Sequence, residues 1–584
     1  MFRLRRAKCG IVCVAIFAGV TLSSRPAAAA RHDAAVRMAM QGPAWPAATG
    51  KVDRAGLESS CKAGNAGSCL NLAAAWSRGL GGPKDDLAAR RFADKGCQLA
   101  LPEACVALSR LFYNGFGGAR ELAKARQLVD KVCTVAIGAG CGPLGIFWLT
   151  GEGGAQDGVK GRSLLVRGCS LDDVEACRNL GVAWQNGVGG PKDDAKARQL
   201  WDKGCARGDG QSCSNLGFAL AHGSAVAKDE ARAVALFTKA CDSDDLLGCS
   251  YLADAFAHGT GVGKNEARAL ALNTRSCDGG YAAACFNLGV AFEYGLGVAK
   301  DPARAATVYA KSCDGGYATG CFNFGVALYN GRGVGKDEAR AVALYVKSCE
   351  GGDETGCRNA GIMYLKGLFV CKDEARAATF LTKSCDGGDA GGCADLGILL
   401  VKGVGIGKDE ARAAAVFATA CDGGDAASCS NLGILVQEGT GVGKDAARAV
   451  ALFTKSCDGG YAFGCSKLAA AFYQGAGVSK DEARAAALFS RACDGGFAAA
   501  CSAFGYMLEH GDAGVGKDEA RAASTYARAC KLGDAAGCAK AASKPKDASE
   551  AVACRADCQR LAKEGTLRDG TTVEACIATL CAAK

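Results

Sequence analysis

Cysteine carries most of the chemistry open to this sequence. The chain has 35 cysteines in 584 residues, and most fall into pairs with seven residues between the partners. These are Cys61 and Cys69, Cys97 and Cys105, Cys133 and Cys141, Cys169 and Cys177, Cys205 and Cys213, Cys241 and Cys249, Cys277 and Cys285, Cys313 and Cys321, Cys349 and Cys357, Cys385 and Cys393, Cys421 and Cys429, Cys457 and Cys465, Cys493 and Cys501, and Cys530 and Cys538. The step between pairs is 36 residues, and 37 at the last, where Gly511 to Gly516 holds one extra loop residue. Such pairs can be oxidised to disulfides or can hold zinc as thiolates. Structural zinc sites favour cysteines two to four residues apart and draw on histidine, and only His32, His222, His258 and His510 are present. The spacing predicts disulfides and no metal site.

Four further cysteines, Cys554, Cys558, Cys576 and Cys581, lie in two short helical stretches. In an antiparallel hairpin Cys554 would pair with Cys581 and Cys558 with Cys576, although spacing alone does not prove that connectivity. Cys371 replaces a loop glycine in GLFVCKDEARA, either as an incidental substitution or as a thiol for an intermolecular bridge. His222 and His258 stand 36 residues apart, each before a glycine at a helix end, where the helix dipole favours them.

The elements that position these residues repeat with the cysteines. Helix A runs from about Tyr281 to Tyr294 with Leu288, Ala291 and Phe292 on one buried face, and it stops at Gly295. Asp301 then caps helix B, with Pro302 at its first position, and helix B buries Ala306, Val308 and Tyr309 before Asp314-Gly315-Gly316. Elsewhere the cap reads Lys-Asp-Glu-Ala-Arg, as at Lys336 to Arg340 and Lys480 to Arg484, and its charges are read as caps on a solvated outer face. Each bridge joins the end of helix B to the first turn of the next helix A. Gly181, Gly217, Gly289, Gly325, Gly361, Gly397 and Gly433 interrupt helix A at a repeated cost in propensity, which predicts a close crossing of helix backbones.

The block CFNLGVAFEYGLGVAKDPARAATVYAKSC, from Cys285 to Cys313, resembles the Sel-one-like repeat, a relative of the tetratricopeptide repeat. The cysteine spacing is similar, more narrowly, to the Helicobacter cysteine-rich protein type. The likeness covers about residues 52 to 541 and is weakest at 133 to 168, where CGPLGIFWLTGEGGAQDGVKGRSLL lacks the Asn and the Lys-Asp cap. It implies an all-α, right-handed αα-superhelical solenoid with a disulfide between helices in every repeat. It also implies a concave face lined by helix A, where the Asn of Asn-Leu-Gly can grip a peptide backbone. The counterparts here are Asn71, Asn179, Asn215, Asn287, Asn323 and Asn431, with Asn359 and Asp395 as near matches. Varied neighbours would supply selectivity: Val290 and Glu293-Tyr294, Val326 and Tyr329-Asn330, Ile362 and Leu365-Lys366, Ile398 and Lys402. The alternative is that these Asn side chains bond the preceding helix and support the fold alone.

The cysteine-rich branch has also been labelled as β-lactamase. A serine enzyme of that kind needs Ser-x-x-Lys on a helix with Ser-Asp-Asn and Lys-Thr-Gly partners. Ser543-Lys544-Pro545-Lys546 contains proline in a polar linker, and neither partner motif occurs. No catalytic residue and no cofactor are therefore predicted, and a scaffold that binds a peptide or protein leads over a penicillin-hydrolysing enzyme.

Formal net charge is +9, but Arg3, Arg5, Arg6, Lys8 and Arg25 contribute five of those charges. The rest is too nearly balanced to attract nucleic acid. Residues 1–30 read as a signal peptide, with a basic start, an apolar stretch from Ile11 to Leu22 and a small-residue site at Pro26 to Ala30. The organisation predicted is this leader, a linker at 31–51, about thirteen repeats at 52–541, a linker at 542–549 and a disulfide-bonded hairpin at 550–584. An exported monomer follows, periplasmic or secreted, with no membrane span after leader cleavage.

Overall fold

The computed structural model describes residues 52–134, 140–223, 227–511 and 515–542. The leader, the first linker, nearly all of the second linker and the C-terminal hairpin with its four cysteines lie outside the described residues. Among those described there are twenty-eight helices, most of them 13 residues long, and no strand. The chain divides after Gly279 into two units, each a stack of antiparallel helix hairpins.

The hairpin of helix A Ala282–Tyr294 and helix B Pro302–Asp314 shows why the pattern folds this way. Helix A ends because Gly295 takes a left-handed conformation at φ 80° and donates its N–H to Ala291 O. The Asp301 side chain accepts the N–H of Arg304 at 3.0 Å and opens helix B, with proline where no N–H is needed. Leu288, Phe292, Ala306 and Tyr309 close the interior, each at most 5% exposed.

Gly289 is explained by a side chain more than by a backbone crossing. A Cβ there would collide with the Tyr309 ring, and the same holds for Gly181 against Trp201, Gly217 against Phe237 and Gly397 against Phe417. The partner lies twenty residues on, in helix B of the same hairpin. A helix-B side chain is met first, a ring in these four and Leu381 at Gly361, and the crossing backbone is close as well, with Ala233 O at Gly217 and Ala377 O at Gly361. A different glycine also brings backbones together. Gly333, at φ 70°, leaves no room for a Cβ against the Pro302 carbonyl, so the loop after one helix A rests on the start of the preceding helix B.

Sulfur–sulfur bonds join helix B to the next helix A throughout both units, as in Cys205–Cys213 in the first and Cys313–Cys321 and Cys421–Cys429 in the second. A nine-residue closed loop gives roughly 2.6 kcal/mol per bridge in the chain-entropy treatment.

The first unit adds a device that the sequence reading did not single out. Arg54, Arg90, Arg126 and Arg162, spaced by 36 in helix B and its counterparts, lie 4.0, 4.3, 3.8 and 3.8 Å from the ring centres of Trp76, Phe112, Trp148 and Trp184 in the following helix A. The guanidinium also reaches backbone carbonyls: Arg162 donates to Ala183 O at 3.1 Å and to Pro191 O at 3.0 Å. Space for it comes from Gly82, Gly118, Gly154 and Gly190, where a Cβ would meet the arginine Nη1. The arginines of the helix-B caps, in Lys-Asp-Pro-Ala-Arg as in Lys-Asp-Glu-Ala-Arg, also do more than face solvent. Arg304 stacks 4.3 Å from the centre of Phe292, and Arg376 lies 4.8 Å from that of Tyr364.

Candidate functional site

In the second unit Asn287, Asn323, Asn359, Asp395 and Asn431 occupy one position on five successive A helices, and all five are half-buried. The side chains of Asn359 and Asn431 make no hydrogen bond among the described residues. The Asn323 amide donates to Thr319 O, four residues back, at 3.1 Å. Asp395 is already engaged by Arg358 at 2.9 Å, and burial holds its carboxyl above the usual range while Arg358 pulls it down. This residue therefore differs from the neutral amides on either side of it.

Three residues on, one turn along the same face, a second column reads Val290, Val326, Ile362, Ile398 and Ile434. Ile398 is 38% exposed and the others are half-buried. A turn further come the variable pairs, whose second members Tyr294, Asn330, Lys366, Lys402 and Glu438 are exposed. A polar column thus runs beside an aliphatic one, with a changing rim.

The first unit does not continue this surface in the same form. Asn71 is exposed, Asn179 is buried at 7% exposure with its Nδ2 unpaired, and Asn215 is half-buried. Arg110 reaches from helix Pro102–Asn114 past helix Cys141–Thr150 to Glu175 in helix Val174–Asn186. Beneath that reach Ile146 and Leu149 are 1% and 2% exposed, whereas their counterparts Val290 and Glu293 are half-buried. Arg178 adds an ion pair to Asp209 at 2.9 Å.

Asp173 belongs to the same polar cluster. Burial, reinforced by Glu175 and opposed by the N–H of Ala176, raises its carboxyl to about 6. Its Oδ2 has no partner. The corresponding Asp245 receives the Ser214 hydroxyl, but the residue in that place before Asp173 is Gly142.

His222, His258 and His510 are exposed, each with Nδ1 near the carbonyl four residues earlier, at 2.9, 2.8 and 2.9 Å. Among the described residues no group of three His, Cys, Asp or Glu side chains could hold a metal ion. Cys371 is an exposed free thiol. Two residues before it Phe369 stands at φ 61°, 50% exposed, where other loops have glycine.

The fold defines the class: an all-α repeat solenoid cross-linked by disulfides. The Sel1 repeat model matches residues 66–101, 102–131, 174–209, 210–245, 247–281, 282–317, 318–353, 355–389, 390–425, 426–461, 462–497 and 498–534, and the chain belongs to the Sel1 repeat family. The unmatched stretch around 132–173 holds the hairpin bridged by Arg110.

Among solved structures, the chain is similar to a protective antigen of uropathogenic Escherichia coli with an SLR fold, at 25% identity over 78% of this chain and 97% of that one, TM-score 0.44. A Sel1 repeat protein from Oxalobacter formigenes is 22% identical over 53% of this chain and 89% of its own, TM-score 0.39. Cysteine-rich protein B of Helicobacter pylori is 31% identical over 23% of this chain and 96% of its own, TM-score 0.20. Among curated proteins no match is found.

Proposed function

We propose that this chain is an exported scaffold that holds an extended peptide or protein segment along the A helices of its second unit. The observation that carries the reading is the pair of columns, half-buried amides beside aliphatic side chains, in register on successive helices. An Asn side chain offers both a donor and an acceptor, so a column of them can hold a peptide main chain whatever its sequence. The aliphatic column and the variable rim then supply selectivity.

Successive A helices pack directly on one another, as Ala282–Tyr294 does on Ala318–Asn330 and Glu354–Lys366 on Ala390–Lys402. Crowding on that side supports the A helices as the concave side. Sel1 repeats mediate protein–protein association, which fits a binding role. Export is supported by the leader-like first thirty residues and by the bridge in each repeat, which forms and persists in oxidising compartments. Among the described residues no helix is long and apolar enough to cross a membrane.

The test is recovery of partners from an envelope extract by the wild-type chain and by a triple variant, Asn287→Ala, Asn323→Ala and Asn431→Ala. These side chains are half-buried, so the variant should keep its helix content by circular dichroism and lose bound protein. Equal recovery by both would sink the reading. No observation favours the hydrolase alternative; nitrocefin turnover that tracks the purified protein would revive it.

A further inference from the structure

One cavity in the second unit meets the amide column. It lies between the hairpin Ala282–Tyr294 and Pro302–Asp314 and the next A helix, Ala318–Asn330, and both Asn323 and Val326 line it. Ala305, Ala306 and Tyr309 form its inner wall, each at most 3% exposed. Its one carboxylate is already compensated: Glu293 accepts the Tyr309 hydroxyl at 2.8 Å and the Arg332 guanidinium at 2.6 Å. Burial, with Glu293 next to it, pushes the Tyr309 phenol far above its ordinary range, so it stays protonated. The lining therefore carries no net charge.

Asn323 gives the cavity a direction. Its Nδ2 gives one hydrogen to Thr319 O, and its Oδ1 is an acceptor on a residue that lines the cavity.

We propose that this cavity is a side-chain pocket for one small aliphatic residue, alanine or valine, of a bound extended peptide, with that residue's N–H donated to Asn323 Oδ1. The inference rests on the peptide-binding reading and adds to it a place and a residue class. The enclosed space is on the order of one or two methyl groups, which excludes long and aromatic side chains. A charged side chain would lose its hydration without finding an uncompensated partner. Proline is excluded because it has no N–H to give.

A phage-displayed random heptapeptide library panned on the oxidised full-length protein tests this. The selected peptides should share alanine or valine, and lack proline, at one fixed position. A synthetic peptide of that consensus should bind Val326→Trp, which fills the pocket, and Asn323→Ala about tenfold more weakly than wild type. Ala451→Trp places the same ring at an exposed site of helix B Ala446–Asp458, outside both columns, and should leave the preference at that position intact. Circular dichroism melts of all three variants must match wild type, and Val326→Phe replaces Val326→Trp if that variant melts early. Selected peptides that bind Val326→Trp and Asn323→Ala as tightly as wild type would overturn the pocket and leave peptide binding standing. Failure of the wild type to select any peptide would overturn the peptide-binding reading and the pocket with it.

Discussion

The hairpins between residues 66 and 190 and those from residue 282 onward share a 36-residue frame and hold their neighbours by different means. In the first group Arg162, Trp184 and Gly190 interlock across hairpins. At the same three places in the second unit stand Ala306, Leu328 and Val334, with Ala306 and Leu328 3% and 2% exposed. In the clamped hairpins the guanidinium lies against the glycine, and in this hairpin of the second unit, where no arginine stands at 306, the loop position is valine. The region with charged clamps is also the one whose A-helix surface is closed by Arg110 and Glu175. The region with aliphatic contacts keeps its amide column half-exposed. The charged clamps and the half-exposed amide column thus lie in different repeats of one array.

Reduction should break this comparison most strongly. Both units lose bridges worth roughly 2.6 kcal/mol each, but only the first retains arginine clamps. Trp76, Trp148, Trp184 and Trp201 all lie in the first unit, so tryptophan fluorescence reports mainly that region while far-ultraviolet circular dichroism follows both. In urea with a phosphine reductant, helix should be lost at lower denaturant by dichroism than by fluorescence. Coincident curves would mean that the clamps add nothing.

A single clamp should be nearly as informative. Arg162 is 6% exposed, and Arg162→Ala removes its stacking on Trp184 and strands two carbonyls, at a cost of about 2–4 kcal/mol in urea unfolding. Arg304→Ala removes an exposed stack on Phe292 and should cost less than about 1 kcal/mol. Equal losses would erase the distinction between the two regions.

The Asp173 carboxyl sharpens the comparison through pH. Raised to about 6 by burial, it binds its proton in the folded state over a range where the unfolded chain has lost it. Its contribution is full below about pH 4 and is lost as pH rises through about 6. Asp173→Asn keeps a capping side chain without the buried charge. The variant should exceed wild type by about 3 kcal/mol at pH 8 and match it near pH 4. A gain of equal size at both values would assign the effect to packing.

The frame of the fold was legible because each device repeats: Asp301 and its counterparts open helix B, Gly295 and its counterparts close helix A, and cysteine marks the junction. The clamps were equally periodic, yet they join residues 22 and 28 positions apart in different hairpins, as Arg162 does Trp184 and Gly190, and reading one block at a time passes over that spacing. The amide column could be aligned from Asn-Leu-Gly, but its condition could not. Nothing in the local motif around Asn179 announces that Arg110 reaches Glu175 across an intervening hairpin, or that Arg358 takes Asp395. Those are long-range pairings of single residues, and a repeat carries no information about its own exceptions.

The smallest expected effect lies at such an exception. Phe369 occupies the place that Gly333 and Gly405 hold in neighbouring loops, and it shares their left-handed conformation at φ 61°. For a residue with a Cβ that conformation costs about 1 kcal/mol, and the side chain recovers little, being 50% exposed with one edge contact to Tyr329 at 6.1 Å. Phe369→Gly should therefore raise the stability of the second unit by about 0.5–1 kcal/mol, less than any loss from a clamp, read as a later dichroism transition with unchanged tryptophan fluorescence. A loss of stability would show that the Phe369 ring contributes more through Tyr329 than its backbone strain costs, and the loop before Cys371 would then count as a built contact of this unit.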